Sequence, residues 1–147
     1  MGIEQNKEIV RRFMQLFSEA RLDEAFELLD DNMTWTLWGS GPAAGAYTKA
    51  AMKDLLLQSW QWFNGLVLWT PTEMTAEEDR VAVMAVSNAT THGGYHHTNK
   101  YHNLFRVRNG KIVEVLEIFP EGPVAVLFEH LQAEQAAPVR PTIKDQR

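Results

Sequence analysis

The segment HTNKYHNLFRVRNGKIVEVLEIFP, residues 97–120, constrains the fold more than any other part of the chain. Asn109-Gly110 supplies the two residues of positive φ that a type I′ turn requires. On both sides of this turn β-forming residues such as Val107 and Ile112 alternate in period two. The segment therefore predicts a tight β-hairpin and, with it, an antiparallel sheet.

Length and composition narrow the class of protein. The 147 residues fit one domain, and the contents of apolar residues (45%) and charged residues (22%) are those of a globular chain. A net charge of -5 without a basic cluster argues against a nucleic-acid partner. No apolar run reaches the roughly 20 residues of a membrane-spanning helix, so no membrane partner is expected. The absence of cysteine excludes disulfides, and the charged N-terminus does not resemble a secretory signal, so we expect a cytoplasmic protein.

The order of elements follows from periodicity. Apolar residues at three- and four-residue steps predict helices over residues 9–17 and 22–29, and Asp30-Asp31-Asn32 ends the second one. A strand over 33–39 and a Gly/Pro loop over 39–45 lead to a third helix, which Thr48 caps. Strands are predicted over 66–75, 80–91, 95–108 and 111–119, with a closing helix after Pro120.

These elements predict an α+β fold in which three N-terminal helices pack on a strongly bent antiparallel sheet, followed by a short C-terminal helix. Residues 1–135 would form the single domain and residues 136–147 a flexible polar tail. A sheet curled over helices is a cone that leaves an apolar cavity. Its outer face must then be solvated or covered by a second subunit.

Four polar residues share one face of the strand before the turn: His97, Asn99, Tyr101 and Asn103. On a face that lines the cavity, His97 could act as a general base, with the other three orienting the ligand or stabilising negative charge. The alternative is a structural role, with His97 at the rim of the cone and the others satisfying backbone groups of the bent sheet.

A second acid/base candidate is the pair His102 and Glu117. Register counted from the Asn-Gly turn places these two residues opposite each other on the other sheet face. A β-bulge would reverse the pleat and bring the pair into the cavity; without one, it would lie on a dimer face.

Histidines and aromatic residues supply the remaining candidates. Four of the five histidines fall between residues 92 and 102, but His96 and His97 project to opposite faces, so no metal site is predicted. The aromatic content predicts either a pocket for a planar or terpenoid ligand or a cone filled solid by tryptophans, with Trp62 on the outer face of its helix. The candidate substrate-binding residues are Trp35, Trp38, Tyr47, Trp60, Phe63 and His92, with Trp38 and Tyr47 at the mouth.

The order of elements, the segment LLDDNMTW, the loop Gly45-Ala46-Tyr47 and the segment FRVRNGKIVEVLEIF resemble the NTF2-like superfamily, in particular its SnoaL-like and ketosteroid isomerase-related members. The resemblance runs from about residue 8 to about residue 131. It implies a cone that holds an apolar small molecule, a homodimer formed through the sheet, and a protein that is either a cofactor-free isomerase, cyclase or dehydratase or a plain binding protein.

The family's known catalytic residues do not carry over. Phe13 and Met14 stand where a ketosteroid isomerase has its tyrosine, and Thr36, Leu37 and Trp38 stand where it has its carboxylate base. The second acid of that pattern falls near Asn103. Pro120 follows the last strand where cyclase-type members place an aspartate, and no aspartate between Asp79 and Asp145 could complete the Asp-Arg-Asp set of limonene epoxide hydrolases.

The resemblance and the residues together predict a homodimeric small-molecule pocket protein, with cofactor-free proton transfer that uses His97 as base. A noncatalytic ligand-binding or accessory protein is the alternative, and a cone filled by tryptophans would instead indicate a protein-interaction module. The volume of the cavity and the side chains that reach it distinguish the three.

Overall fold

The computed structural model describes residues 2–136. Four helices and six strands follow one another along the chain. They are α1 (Ile3–Ser18), α2 (Leu22–Glu27), β1 (Leu29–Trp38), β2 (Gly45–Thr48), α3 (Lys49–Trp60), β3 (Leu68–Glu77), β4 (Arg80–Thr90), β5 (His96–Arg108), β6 (Lys111–Ile118) and α4 (Glu121–Ala136). The predicted α+β architecture is confirmed, and α4 is as long as α1 rather than short.

The helical half agrees with the periodicity except at the end of the second helix. Thr48 caps α3 as expected, since its hydroxyl oxygen accepts a hydrogen bond from Ala51 N at 3.1 Å. Residues 30–32, predicted to end the second helix, instead belong to β1, which starts at Leu29. Pairing of Leu29 with Ile112 of β6 extends the strand through these polar residues, so sheet contacts prevail over local turn propensity.

The sheet has the order β2-β1-β6-β5-β4-β3. Strands β3 to β6 form the predicted antiparallel meander, and Asn109 and Gly110 adopt the positive φ angles, 51° and 78°, of the predicted turn. Strand β1 joins β6 in parallel, so the sheet is mixed, and β2 is a short edge strand that the sequence pattern did not predict.

One bulge determines which side of β6 faces inward. Val107 pairs with Ile112 but Arg106 pairs with Glu114, so Val113 is an extra residue in β6. Because side chains alternate across a strand, this insertion moves every later residue of β6 to the opposite face.

The main core fills the end of the cone near the Asn-Gly turn, where the buried ring of Phe13 packs edge-on against the buried rings of Trp35 and Phe105. A smaller core holds α4 through Leu127 and Leu131, which pack with Phe63 and Ala89. The predicted tail lies outside the described residues except for Ala136, the last residue of α4. Among residues 2–136, no helix combines the length and the apolarity needed to cross a membrane.

Candidate functional site

A cavity of about 180 Å³ lies between the sheet and the helices. Helices α1, α3 and α4 and strands β1 and β3 to β6 contribute to its wall. Six aromatic side chains line it: Phe17, Trp35, Trp60, Trp62, Phe63 and Trp69. Five polar side chains interrupt this aromatic wall: Ser59, Ser87, His97, Tyr101 and Glu117. An aromatic wall with a few polar groups is the usual composition of a small-molecule site.

The volume limits what the cavity can hold. An engineered apolar cavity of about 150 Å³ binds benzene. The cavity described above therefore accommodates a ligand, or part of a ligand, with a single ring. The cone is not filled solid by tryptophans, and its void is smaller than the several hundred cubic ångströms of a typical enzyme pocket.

Glu117 is the carboxyl group of the cavity. The bulge at Val113 turns it inward, where Trp35 Nε1 donates a hydrogen bond to its Oε1 at 3.1 Å. Part of the side-chain surface remains accessible because it borders the void, but the carboxyl group is enclosed by apolar side chains. This burial raises the pKa of Glu117 from 4.5 to about 7, although the Trp35 hydrogen bond acts in the opposite direction.

His97 is the imidazole of the cavity. Its side chain is buried and lies nearly parallel to the ring of Phe63, with 6.4 Å between the ring centroids. Its Nδ1 has no hydrogen-bond partner among the described residues. Burial lowers the pKa of His97 below 6.5, and the nearby charge of His96 lowers it further, so the ring is neutral at neutral pH.

Tyr101 borders the cavity on the same strand face. Its ring packs edge-on against Trp69, with 6.4 Å between centroids. Burial raises the pKa of its hydroxyl group, and the negative charge of Glu117 raises it further. The phenol therefore stays protonated and can donate a hydrogen bond to a ligand.

A second polar atom in the wall lacks a partner among residues 2–136. Besides His97 Nδ1, this is Trp69 Nε1, and both atoms are buried. Ser87 Oγ, also buried, lies within reach of the Tyr101 hydroxyl group. Unpaired buried polar atoms are rare in folded proteins and cost free energy. Their concentration around one void is expected where a ligand or water completes the hydrogen bonds.

The two asparagines of the predicted face do not line the cavity. Asn99 is tied to the backbone, because its Nδ2 donates to Pro120 O at 3.1 Å and its Oδ1 accepts from Lys100 N at 2.9 Å. Asn103 is fully buried beside Phe105, and both of its side-chain polar atoms lack partners within the described residues. Asn99 thus has the structural role considered as an alternative.

The predicted pairing of His102 with Glu117 is wrong. The bulge at Val113 shifts the register by one residue, so Glu117 lies opposite Asn103 and His102 lies opposite Ile118. His102 stays on the outer face, where its Nδ1 is 3.0 Å from the sulfur of Met84. Glu117 joins His97 and Tyr101 in the cavity instead.

Three of the predicted substrate-binding residues, Trp35, Trp60 and Phe63, line the cavity, and the other three do not. Trp38 is 60% exposed at the end of β1. Tyr47 donates to Ala43 O at 2.5 Å within its own loop. His92 is exposed on a turn, with its Nε2 2.9 Å from Gln61 O.

Trp62, Trp69 and Ser87 are among the lining residues that sequence reasoning missed. Trp62 was predicted to lie on the outer face of a helix, but α3 ends at Trp60 and Trp62 turns into the cavity. Trp69 was not selected among the five tryptophans. Ser87 carried a usable signal, because it is the polar member of the otherwise apolar inner face of β4.

The histidines do not form a metal centre. His92 and His96 are exposed and His97 is buried, and no group of three potential ligand side chains forms within residues 2–136.

The profile of the SnoaL-like domain family matches residues 10–115. The chain belongs to the SnoaL-like family. The match covers most of the described residues and agrees with the cone of helices and bent sheet. Membership identifies a fold that carries several chemistries, so the function must be argued from the site.

Solved structures share this fold at low sequence identity. PrhC from Penicillium brasilianum superimposes with a TM-score of 0.82 at 16% identity, over 91% of this chain and 92% of its own. AclR from Streptomyces galilaeus, a candidate hydroxylase, gives a TM-score of 0.75 at 18% identity over 88% and 98% of the two chains. IdmH from Streptomyces antibioticus, a candidate polyketide cyclase, gives 0.71 at 19% identity over 85% and 99%. No curated protein matches the SnoaL-like chain at a significant level.

Proposed function

We propose that this SnoaL-like protein binds an apolar small molecule in the cone and transfers a proton on it, with His97 as the base and Glu117 as the acid. The observation that carries the proposal is that a buried imidazole and a carboxyl group lie on the wall of one aromatic cavity. Burial raises the pKa of Glu117 to about 7 and lowers that of His97 below 6.5. Near neutral pH a neutral imidazole and a protonated carboxyl group therefore coexist.

Such a pair can act on a proton next to a carbonyl group. The imidazole of His97 removes a proton from the carbon beside the carbonyl group, and the electrons of the broken C–H bond form a carbon–carbon double bond. The carbonyl oxygen takes the proton of Glu117, with a hydrogen bond from Tyr101, to give the enol. The reverse steps, with the proton returned to the same or another carbon, give exchange or isomerisation. Each positioned acid or base typically contributes 10²–10⁴-fold to the rate.

The family relationship supports this class of chemistry without naming a substrate. IdmH is a candidate polyketide cyclase and AclR a candidate hydroxylase. Aldol-type cyclisation and isomerisation through an enol both begin with proton removal beside a carbonyl group. The ligand-sized void and its aromatic wall favour an apolar ring as the reacting part.

Acetophenone in D₂O provides a direct test, because it has one ring, a carbonyl group and exchangeable methyl protons. Proton NMR would follow the loss of the methyl signal. We expect the wild type to accelerate exchange and His97→Ala to lower the rate about 100-fold or more while leaving the melting temperature nearly unchanged. His102→Ala, a change at an exposed histidine on the outer face of the same strand, is the matched control and should keep the rate.

The alternative function is noncatalytic binding, which the predominantly apolar wall and the small void favour. Binding of acetophenone without any acceleration of exchange would support the alternative and contradict the enzymatic proposal. If His97→Ala lowered the melting temperature strongly as well as the exchange rate, the role of His97 would be structural.

A homodimer through the outer face of the sheet is also proposed. Met84 is 41% exposed there, close to His102, and the half-buried Leu104 and Leu116 pair beside them. Apolar side chains at the centre of a sheet face favour burial against a second copy. Native mass spectrometry of freshly purified protein would count the subunits and detect a copurified ligand in the same spectrum; a monomer would contradict the dimer.

A further inference from the structure

A second cavity, of about 440 Å³, lies between α4 and the loop that joins β1 to β2. It is larger than the cone cavity and has a mainly apolar wall. Trp38, Pro42, Phe119, Val124 and Phe128 form much of this wall. Trp38, which the sequence singled out as a mouth residue, belongs to this cavity rather than to the first one.

The two strands at the centre of the site run from one cavity into the other. On β1, Trp35 lines the cone cavity and Leu37 lines the second cavity. On β6 and just beyond it, Glu117 lines the first and Phe119 the second. Two residues along a strand span about 7 Å. The second cavity therefore begins only two residues beyond Glu117, the acid of the proposed site.

Helix α4 also borders both cavities. Of two consecutive residues, Leu127 lines the cone cavity and Phe128 lines the second cavity. The wall between the cavities is aromatic on both sides. Phe119 packs on Tyr101 with 5.5 Å between ring centroids, and Phe128 packs edge-on against Trp62 at 5.6 Å. Rotation of Phe119 or Phe128 would thus connect the two voids.

The charged group nearest the loop already has hydrogen-bond partners within the protein. The carboxylate of Glu121 accepts from Ser40 N at 2.8 Å, Gly41 N at 2.7 Å and Ser40 Oγ at 3.1 Å. These bonds also lower the pKa of Glu121. The remaining polar members of the wall, Glu129 and Gln132, are exposed side chains of α4. The interior of the second cavity therefore suits an uncharged apolar group.

We propose that the two cavities form one bipartite site for a ligand made of a ring and an apolar chain. The ring occupies the cone cavity beside His97 and Glu117, and the chain passes Phe119 into the second cavity. This inference rests on the proposed function and adds a substrate class to it. The volumes support the division, because the first cavity holds a single ring and the second has room for a longer group.

A series of para-substituted phenols tests the proposal: phenol, 4-ethylphenol, 4-butylphenol and 4-hexylphenol, with affinities measured by calorimetry. Full burial of one methylene is worth about fourfold in affinity. We expect the affinity to rise with chain length by up to about fourfold for each methylene that enters the second cavity.

Ala125→Phe provides the blocking variant, since Ala125 is an exposed residue of α4 that lines only the second cavity. The added ring should leave phenol binding within about twofold and lower the affinity for 4-hexylphenol by about tenfold or more, the value of two or three buried methylenes. Ala133→Phe, the same change at an exposed residue of α4 outside both cavities, is the matched control and should keep the chain-length gain. Melting temperatures of both variants establish that the fold is retained.

The outcomes separate this inference from the proposed function. If phenol binds but the affinity does not rise with chain length, the bipartite site is wrong and the cone pocket remains. The same conclusion follows if the gain survives in Ala125→Phe. If none of the phenols binds the wild type, the proposed pocket and the bipartite site fail together.

Discussion

The two halves of strand β5 face the same interior but have opposite character. Near the Asn-Gly turn, Phe105 and Val107 are almost completely buried in an apolar core. Toward the other end, His97 and Tyr101 border a void, and Asn99 bonds to the backbone. One half of the strand is packed to stabilise the cone, and the other half leaves space and polar groups that the fold itself does not need.

This difference shows which half of β5 stabilises the fold and which half is available to bind a ligand. Apolar side chains with many contacts contribute stability, whereas unpaired buried polar atoms reduce it. His97 and Trp69 each carry such an atom at the cavity, whereas Phe13 and Phe105 pack ring against ring in the core. Substitutions in the two halves should therefore affect stability and binding in different proportions.

The largest effect is expected in the packed half. Phe105→Ala removes a fully buried ring that contacts Phe13 and Trp69, and should lower the free energy of unfolding by about 3–5 kcal/mol. Urea unfolding measures the loss. Phe63→Leu, a milder change at the cavity, is the comparison and should alter ligand affinity more than stability. If Phe105→Ala lowered the free energy of unfolding by less than about 1 kcal/mol, this half of the strand would not be closely packed.

The second-largest effect is the pH dependence of the free energy of unfolding that Glu117 causes at the cavity. In the folded state the pKa of Glu117 is raised to about 7 from 4.5, so between these pH values the folded protein binds more protons than the unfolded chain. The free energy of unfolding therefore falls as the pH rises from about 4.5 to 7, by roughly 3 kcal/mol for this group alone. Glu117→Gln retains an acceptor for Trp35 Nε1 and should remove this slope.

Urea unfolding of both proteins at a series of pH values measures the contribution as a difference. His97 contributes in the opposite direction, because its lowered pKa makes the unfolded chain bind more protons below pH 6.5. This term is common to the wild type and Glu117→Gln and cancels between them. Parallel pH profiles for the two proteins would mean that the carboxyl group of Glu117 is solvated.

The sequence predicted the fold well because local signals agree along most of the chain. The helix periodicity, the cap at Thr48 and the Asn109-Gly110 turn each specify an element without tertiary information. The parallel addition of β1 to β6 has no local signal, since strand partners far apart in sequence are chosen by packing. Residues 30–32 were misassigned for the same reason.

The site was predictable only in part. Period two identified the inner face of β5, and His97 and Tyr101 do border the cavity. The bulge at Val113 could not be read from the alternation of apolar residues in β6, and one extra residue was enough to exchange the faces of the strand. Glu117 was therefore paired with His102, although it lies on the opposite face, with His97.

A third and smaller effect is expected at the boundary between the two halves. Asn103 is fully buried with both side-chain polar atoms unpaired among the described residues. Its replacement by leucine, which is similar in size, removes this penalty and should raise the free energy of unfolding by about 1–2 kcal/mol. Urea unfolding would measure the gain, and Asn99→Leu is the contrast: loss of its two hydrogen bonds should lower stability. A loss of stability in Asn103→Leu would show that this amide has a partner, such as a buried water molecule.

The smallest effect concerns α4, which spans both cavities. Glu134 holds the C-terminal end of this helix on the β4–β5 turn, because its carboxylate accepts from Thr91 Oγ1 at 2.6 Å and from Gly93 N at 2.9 Å. A Cβ atom on Gly93 would lie 2.4 Å from Glu134 Cδ, so Gly93→Ala must displace the carboxylate.

Gly93→Ala should lower the free energy of unfolding by only about 1 kcal/mol, since one of the displaced hydrogen bonds is exposed and the other is only partly buried. It should raise the hydrogen-exchange rates of α4 amides more than those of β5, because α4 is otherwise held mainly by its small apolar core. Gly122→Ala, with no atom within 4 Å of the added Cβ, is the control on the same helix and should not raise exchange. Unchanged hydrogen-exchange rates in Gly93→Ala would mean that the apolar core alone holds α4 over the cavities. Faster exchange confined to α4 would identify this helix as the part of the cavity wall that opens first.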